Sequence, residues 1–138
     1  MHLENRIEFF CPLEKIPTVT HQQKKIAVGR NGKPMTYEPE RLKEARAMFM
    51  ARFGQYRPKE PLPGPLRLVV KWLFPQVKGS WNGQPKTTKP DTDNLNKLPK
   101  DCMTALGFWG DDAQVADERI VKVWGEPVGV YVLVEVIG

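Results

Sequence analysis

The sequence predicts an α+β fold: a small mixed four-stranded sheet flanked by two helices, in the order β-α-β-α-β-β. Several segments alternate apolar and polar residues, which is typical of strands, and two others repeat apolar residues at helical spacing. The last segment is apolar on both faces, which indicates a strand in the interior of the sheet. With 138 residues, we expect residues 1–138 to form a single domain.

Four strands are predicted. The first is Arg6–Cys11, and the clearest is Leu66–Phe74, which has one fully apolar face and one mixed face. The segments Glu118–Trp124 and Val128–Ile137 are separated by Gly125-Glu126-Pro127, a combination that favours a turn. We therefore expect these last two strands to pair as a hairpin.

The two predicted helices are Pro39–Phe53 and Asp93–Leu106. Proline suits the first turn of a helix, and Thr92 or Asp93 can cap the second one. The apolar stripe of the first helix is Leu42, Ala45, Phe49 and Phe53, and that of the second is Leu95, Leu98, Cys102, Ala105 and Leu106. Pro99 has no N–H to donate to Leu95, so we expect a kink there.

Two long segments are predicted to be irregular loops, residues 13–37 and 75–90. The first contains the turn signal Arg30-Asn31-Gly32, and both are rich in basic side chains. Phosphate contact and a plain surface excursion are both open interpretations. Trp81 could stack on an unpaired DNA base or pack against the domain. The candidate DNA-binding residues of these loops are Lys24, Lys25, Arg30, Lys33, Lys78, Trp81, Lys86 and Lys89.

Composition excludes several classes of protein. The two cysteines, Cys11 and Cys102, are too few for a zinc site and are interpreted as buried thiols. The sequence has no signal-peptide pattern and no apolar run long enough to span a bilayer, so we expect a cytoplasmic protein. Residues 1–90 contain 17 Lys and Arg against 7 Asp and Glu, whereas residues 91–138 contain 4 against 9. A basic body around an acidic pocket suits a metal-dependent enzyme that acts on nucleic acid.

Five aspartates fall between Lys89 and Asp112: Asp91, Asp93, Asp101, Asp111 and Asp112. Clustered carboxylates repel one another, and a divalent cation would remove that repulsion. Asp91 and Asp93 alternate along the chain and could reach one Mg²⁺, whereas only one of the adjacent Asp111 and Asp112 can be a direct ligand. The competing interpretation is that these residues are helix caps and ion pairs, including an i,i+4 pair of Asp93 with Lys97.

The spacing of this segment resembles the RusA family of Holliday junction resolvases. The matching residues are Pro90, Asp91, Asp93, Asn94, Leu95, Lys97, Asp101, Leu106, Asp111, Asp112, Gln114 and Val115. The resemblance implies that Asp91, Asp93 and Asp112 are catalytic metal ligands and that Lys97 is a catalytic lysine. It also implies supporting roles for Asp111, Asp101 and Lys122, the last as a further DNA contact. Pro99 departs from the helical spacer that is usual in the family.

From this resemblance we expect a homodimeric Mg²⁺-dependent endonuclease, of a kind often carried by phages and prophages. It would resolve Holliday junctions by paired nicking of branched DNA in recombination and repair, and Mn²⁺ would substitute for Mg²⁺. The alternative is a non-catalytic protein that binds junctions or other DNA. A metal-dependent hydrolase of small phosphates is disfavoured by the basic balance of residues 1–90.

Overall fold

The computed structural model describes residues 5–18, 25–28, 34–37 and 39–138. Within these residues the chain forms seven strands and two helices, which confirms the predicted α+β class and the two helices. The strands are β1 Arg6–Pro12, β2 Lys25–Val28, β3 Pro34–Tyr37, β4 Leu66–Phe74, β5 Gln84–Pro85, β6 Val115–Trp124 and β7 Gly129–Val136. The helices are α1 Glu40–Phe53 and α2 Thr92–Ala105. No helix of this part of the chain is long and apolar enough to cross a membrane.

The main sheet is mixed and has five strands, in the order β1-β7-β4-β6-β5. The predicted number of four was too low, because the two-residue strand β5 lies in a segment that has no alternating pattern. β7 lies between β1 and β4 and is antiparallel to both. This confirms the interior position predicted from its two apolar faces.

The predicted hairpin of the last two strands is wrong. β6 and β7 both pair with β4, which lies between them, so Val70 is opposite Ile120 on one side and Val132 on the other. β6 is parallel to β4 and β7 is antiparallel to it. The alternating pattern identified the strands, but a short connection does not by itself decide which strand is the partner.

The prediction that residues 13–37 are wholly irregular is wrong, because β2 and β3 form a separate two-stranded antiparallel sheet. Each strand has only four residues, which is too short for alternation to stand out. The turn signal Arg30-Asn31-Gly32 lies outside the described residues.

The core lies between the main sheet and the two helices. Alternate residues of β4 are buried along its whole length, and α1 packs on this face, with the rings of Phe49 and Trp72 at 6.1 Å and nearly perpendicular. α2 continues through Pro99 and buries it, and it buries Met103 in place of the predicted Ala105. Cys11 and Cys102 are buried free thiols, as predicted.

Candidate active site

α2 is the crossover that joins the parallel strands β4 and β6. Lys122, near the end of β6, donates to the carbonyl oxygen of Pro90 just before α2, at 2.7 Å. Farther along the helix, the side-chain amide of Asn96 donates to Glu118 Oε1 at 2.6 Å. α2 therefore runs antiparallel to β6, and its first turn lies at the carboxyl end of the parallel pair, where open α/β sheets commonly bind ligands.

Asp91 is the N-cap residue of α2, and the helix begins at Thr92 rather than Asp93. The predicted cap, Thr92 or Asp93, is therefore wrong, and Asp91 and Asp93 flank a helix start instead of alternating along an extended segment. The carboxylate of Asp91 makes no capping hydrogen bond. It is about half exposed and lies 3.3 Å from the ammonium of Lys89. The positive end of the helix dipole partly offsets the repulsion between the two carboxylates.

Asp93 and Lys97 are both exposed on the first two turns of α2. Among the ion pairs of the described residues, there is none between these two side chains. The competing interpretation of an ordinary i,i+4 pair is therefore not realised in this structure. Both side chains are available to a ligand that approaches the start of α2.

Asp111 and Asp112 lie before β6, in a short 3-10 turn at Asp112–Gln114. Asp111 accepts from the backbone N–H of Ala113 at 2.9 Å, and the side chain of Gln114 accepts in return from the N–H of Asp111 at 3.1 Å. This reciprocal capping box occupies the carboxylate of Asp111. Asp112 is exposed.

The structure does not bring the predicted metal ligands together within one chain. Asp91 and Asp93 lie at the start of α2, whereas Asp111 and Asp112 follow its other end. A helix of 14 residues is about 21 Å long. The described residues accordingly contain no group of three or more His, Cys, Asp or Glu side chains that could hold a metal ion.

The donors at the start of α2 nevertheless suit a hard cation. Mg²⁺ binds oxygen ligands and is commonly held by one or two carboxylates, with water and substrate phosphates completing its shell. Asp91 and Asp93 offer two such carboxylates that no hydrogen bond from the described residues occupies, apart from the contact with Lys89. A two-carboxylate site therefore fits this position, and a three-carboxylate site within one chain does not.

Some of the predicted DNA-contacting residues are exposed in the structure, and others lie outside the described residues. Lys78, Trp81 and Lys89 are exposed, and Trp81, at 63%, is the most exposed large apolar side chain among the described residues. Lys24, Arg30 and Lys33 lie outside the described residues, and Lys25 begins β2.

Lys86 does not face solvent as a DNA-contacting side chain would. It is only 7% exposed, and its ammonium lies 4.9 Å from the ring centre of Phe74 and 4.5 Å from that of Trp124. Burial, and then the charge of the neighbouring Lys122, lower the pKa of Lys86. The composition of the loop indicated a basic surface, and it gave no sign that this lysine turns inward.

Glu118 was not singled out from the sequence, although it positions α2. It accepts from Asn96 and also pairs with Lys100 at 3.2 Å. Asn96 is only 2% exposed, and the carboxylate satisfies the NH₂ of its amide, whereas the amide oxygen is buried without a hydrogen-bond partner among the described residues. No signal in the sequence indicated this contact, because Asn96 lies outside the predicted apolar stripe of α2.

A sequence model of the family Endodeoxyribonuclease RusA matches residues 15–135. The chain belongs to the RusA family. It is 37% identical over 122 residues to the crossover junction endodeoxyribonuclease RusA of Lactococcus phage r1t, a match that covers 86% of this chain and 88% of the phage protein. It is 32% identical over 116 residues to the uncharacterized protein YqaN of Bacillus subtilis strain 168, covering 76% and 81% of the two chains.

A shorter match links this RusA family member to the crossover junction endodeoxyribonuclease RusA of Escherichia coli K12. The two are 51% identical over 39 residues, which is 28% of this chain and 32% of the Escherichia coli protein. Similarity is therefore concentrated in one segment for the enterobacterial relative and spread over most of the chain for the phage relative. The resemblance noted in the sequence is confirmed at the level of the family.

Proposed function

We propose that this RusA family member is a divalent-metal-dependent endonuclease that resolves Holliday junctions by nicking branched DNA. Family membership supports nuclease action, because the relatives from Lactococcus phage r1t and Escherichia coli bear the name crossover junction endodeoxyribonuclease. The observation that supports the metal site is that the carboxylate of Asp91 makes no capping hydrogen bond at the start of α2, where Asp93 lies beside it.

In this proposal Asp91 and Asp93 hold one Mg²⁺, for which Mn²⁺ substitutes. When bound, the cation supplies a Lewis acid for a phosphate oxygen and lowers the pKa of a coordinated water. Lys97, one helical turn after Asp93, binds and orients a phosphate oxygen beside the carboxylates. The exposed side chains of Lys78 and Lys89 contact the DNA backbone, and Trp81 stacks on an unpaired base at the branch.

The separation of the carboxylates supports a homodimer with shared sites. Asp112 cannot reach the start of its own α2, because about 21 Å of helix lies between them. A twofold axis that places the end of one α2 beside the start of the other would bring Asp112 of the partner subunit to Asp91 and Asp93, twice over. Two equivalent sites would then face the two strands that a junction resolvase must cut.

The proposal is tested with a synthetic four-way junction and a linear duplex of the same sequence. Paired nicks in opposed strands of the junction are expected with Mg²⁺, with little cutting of the duplex and none in EDTA. Junction binding without any Mg²⁺-dependent nicking would contradict the enzymatic proposal. It would favour the alternative of a non-catalytic DNA-binding protein.

A further inference from the structure

Two lysine side chains lie beneath the segment Thr88–Pro90, which leads into the proposed metal site. Lys86 donates to the carbonyl oxygens of Thr88 and Lys89, at 3.3 Å and 2.6 Å, and to the hydroxyl of Thr88. Lys122 donates to the carbonyl oxygens of Thr88 and Pro90, both at 2.7 Å. Three consecutive carbonyl groups therefore turn towards two ammonium groups.

This arrangement fixes the backbone up to the first turn of α2. The next carbonyl, that of Asp91, accepts the N–H of Leu95 at 3.1 Å and begins the helix. Every carbonyl from Thr88 to Asp91 thus has a donor, and none of these contacts uses the carboxylate of Asp91. The inward direction of the carbonyls leaves the Asp91 side chain half exposed beside Lys89.

Lys86 is an unusual choice for a purely structural position. All three of its donors are used on backbone or hydroxyl oxygens, and its positive charge lies over two aromatic rings with no carboxylate among its contacts. Burying a charge costs free energy unless the group is hydrogen-bonded. The three hydrogen bonds of Lys86 offset that cost, and they set the direction of the carbonyls that precede Asp91.

We propose that Lys86 is a positioning residue, which acts with Lys122 to hold the Thr88–Pro90 segment so that Asp91 can bind the metal. Lys86 touches neither DNA nor the cation and acts only through the backbone. Groups hydrogen-bonded to metal-binding side chains commonly change metal affinity by about 10- to 100-fold when they are replaced, and we expect an effect in this range here. This inference rests on the proposed function, because it assigns Asp91 to the metal.

The test compares wild-type protein with Lys86→Met, which keeps an unbranched apolar side chain and removes the ammonium. The Mg²⁺ concentration for half-maximal nicking is expected to rise about 10- to 100-fold, and Mn²⁺ affinity measured by calorimetry to fall by the same factor. Junction affinity measured in Ca²⁺ is expected to change little, and the protein is expected to stay folded at the assay temperature although its thermal unfolding midpoint falls, because the carbonyl of Lys89 loses its donor. This split separates positioning from loss of folding and from loss of a DNA contact.

Two further variants complete the experiment. Lys43→Met removes an exposed lysine of α1 and is expected to leave metal affinity unchanged. Thr88→Val removes only one acceptor of Lys86 and is expected to give a smaller loss of the same kind, so it replaces Lys86→Met if that variant is unfolded. Unchanged Mn²⁺ affinity in folded Lys86→Met and Thr88→Val would overturn the positioning role alone. A wild-type protein that neither nicks nor binds Mn²⁺ would overturn the proposed function itself.

Discussion

Asp91 and Asp111 each stand one residue before a helical segment, but only Asp111 uses its carboxylate to cap that segment. Asp111 accepts from the N–H of Ala113, and Gln114 completes the box. Asp91 makes no such bond, although it precedes the 14-residue helix α2. The same residue type at the same position therefore caps the 3-10 turn before β6 in one case, and in the other makes no capping bond and contacts only the ammonium of Lys89.

The difference arises from what holds each segment. The side chain of Gln114 ties the Asp111 turn to the carbonyls of Leu62 and Gly64, at 3.1 Å and 3.0 Å, so the capping box is part of the packing of the chain. The segment before Asp91 is held from beneath by Lys86 and Lys122. Because these lysines fix the backbone, the start of α2 does not depend on a side-chain cap. The carboxylate of Asp91 is therefore not needed for capping.

The largest effect is expected from removing a carboxylate at the start of α2. Asp93→Asn should lower Mg²⁺-dependent nicking by more than about 100-fold, which exceeds the usual effect of a residue that only supports a ligand. Junction binding, measured in Ca²⁺, should persist because the basic contacts are unchanged. Glu44→Gln, which neutralises an exposed carboxylate of α1, is the matched control. Normal cutting by Asp93→Asn would show that the metal binds elsewhere.

A mixed dimer tests whether the two ends of α2 meet across a subunit boundary. Asp91→Asn and Asp112→Asn are each expected to be inactive alone. If the sites are shared, a dimer with one subunit of each kind keeps one site with neither change, so an equal mixture regains about a quarter of the single-strand nicking activity by statistics alone. If each site were built within one chain, every site would carry a change and the mixture would stay inactive. Exchange of subunits before the assay is checked by mass spectrometry of the intact dimer.

The strand β4, the helix α1 and the burial of both cysteines could be predicted because each follows from a local apolar pattern. The pairing of β6 could not, because alternation does not say whether a strand joins its neighbour in sequence or a distant partner. That error also hid the geometry of the site. With β6 parallel to β4, α2 must be a crossover, and a crossover helix separates Asp91 from Asp112. The inward turn of Lys86 depends on the rings of Phe74 and Trp124, which are distant in sequence from each other.

The smallest effect concerns the stability of the two capping positions. Asp111→Ala should lower the free energy of unfolding by about 1 kcal/mol, since it removes a capping hydrogen bond. Asp91→Ala should change the free energy of unfolding by less than about 0.5 kcal/mol, as is usual for a surface substitution that breaks no such bond. The midpoint of urea unfolding at an unchanged denaturant slope measures both changes. Equal losses for the two variants would mean that Asp91 caps α2 in solution, and its carboxylate would then have to leave the helix in order to bind a cation.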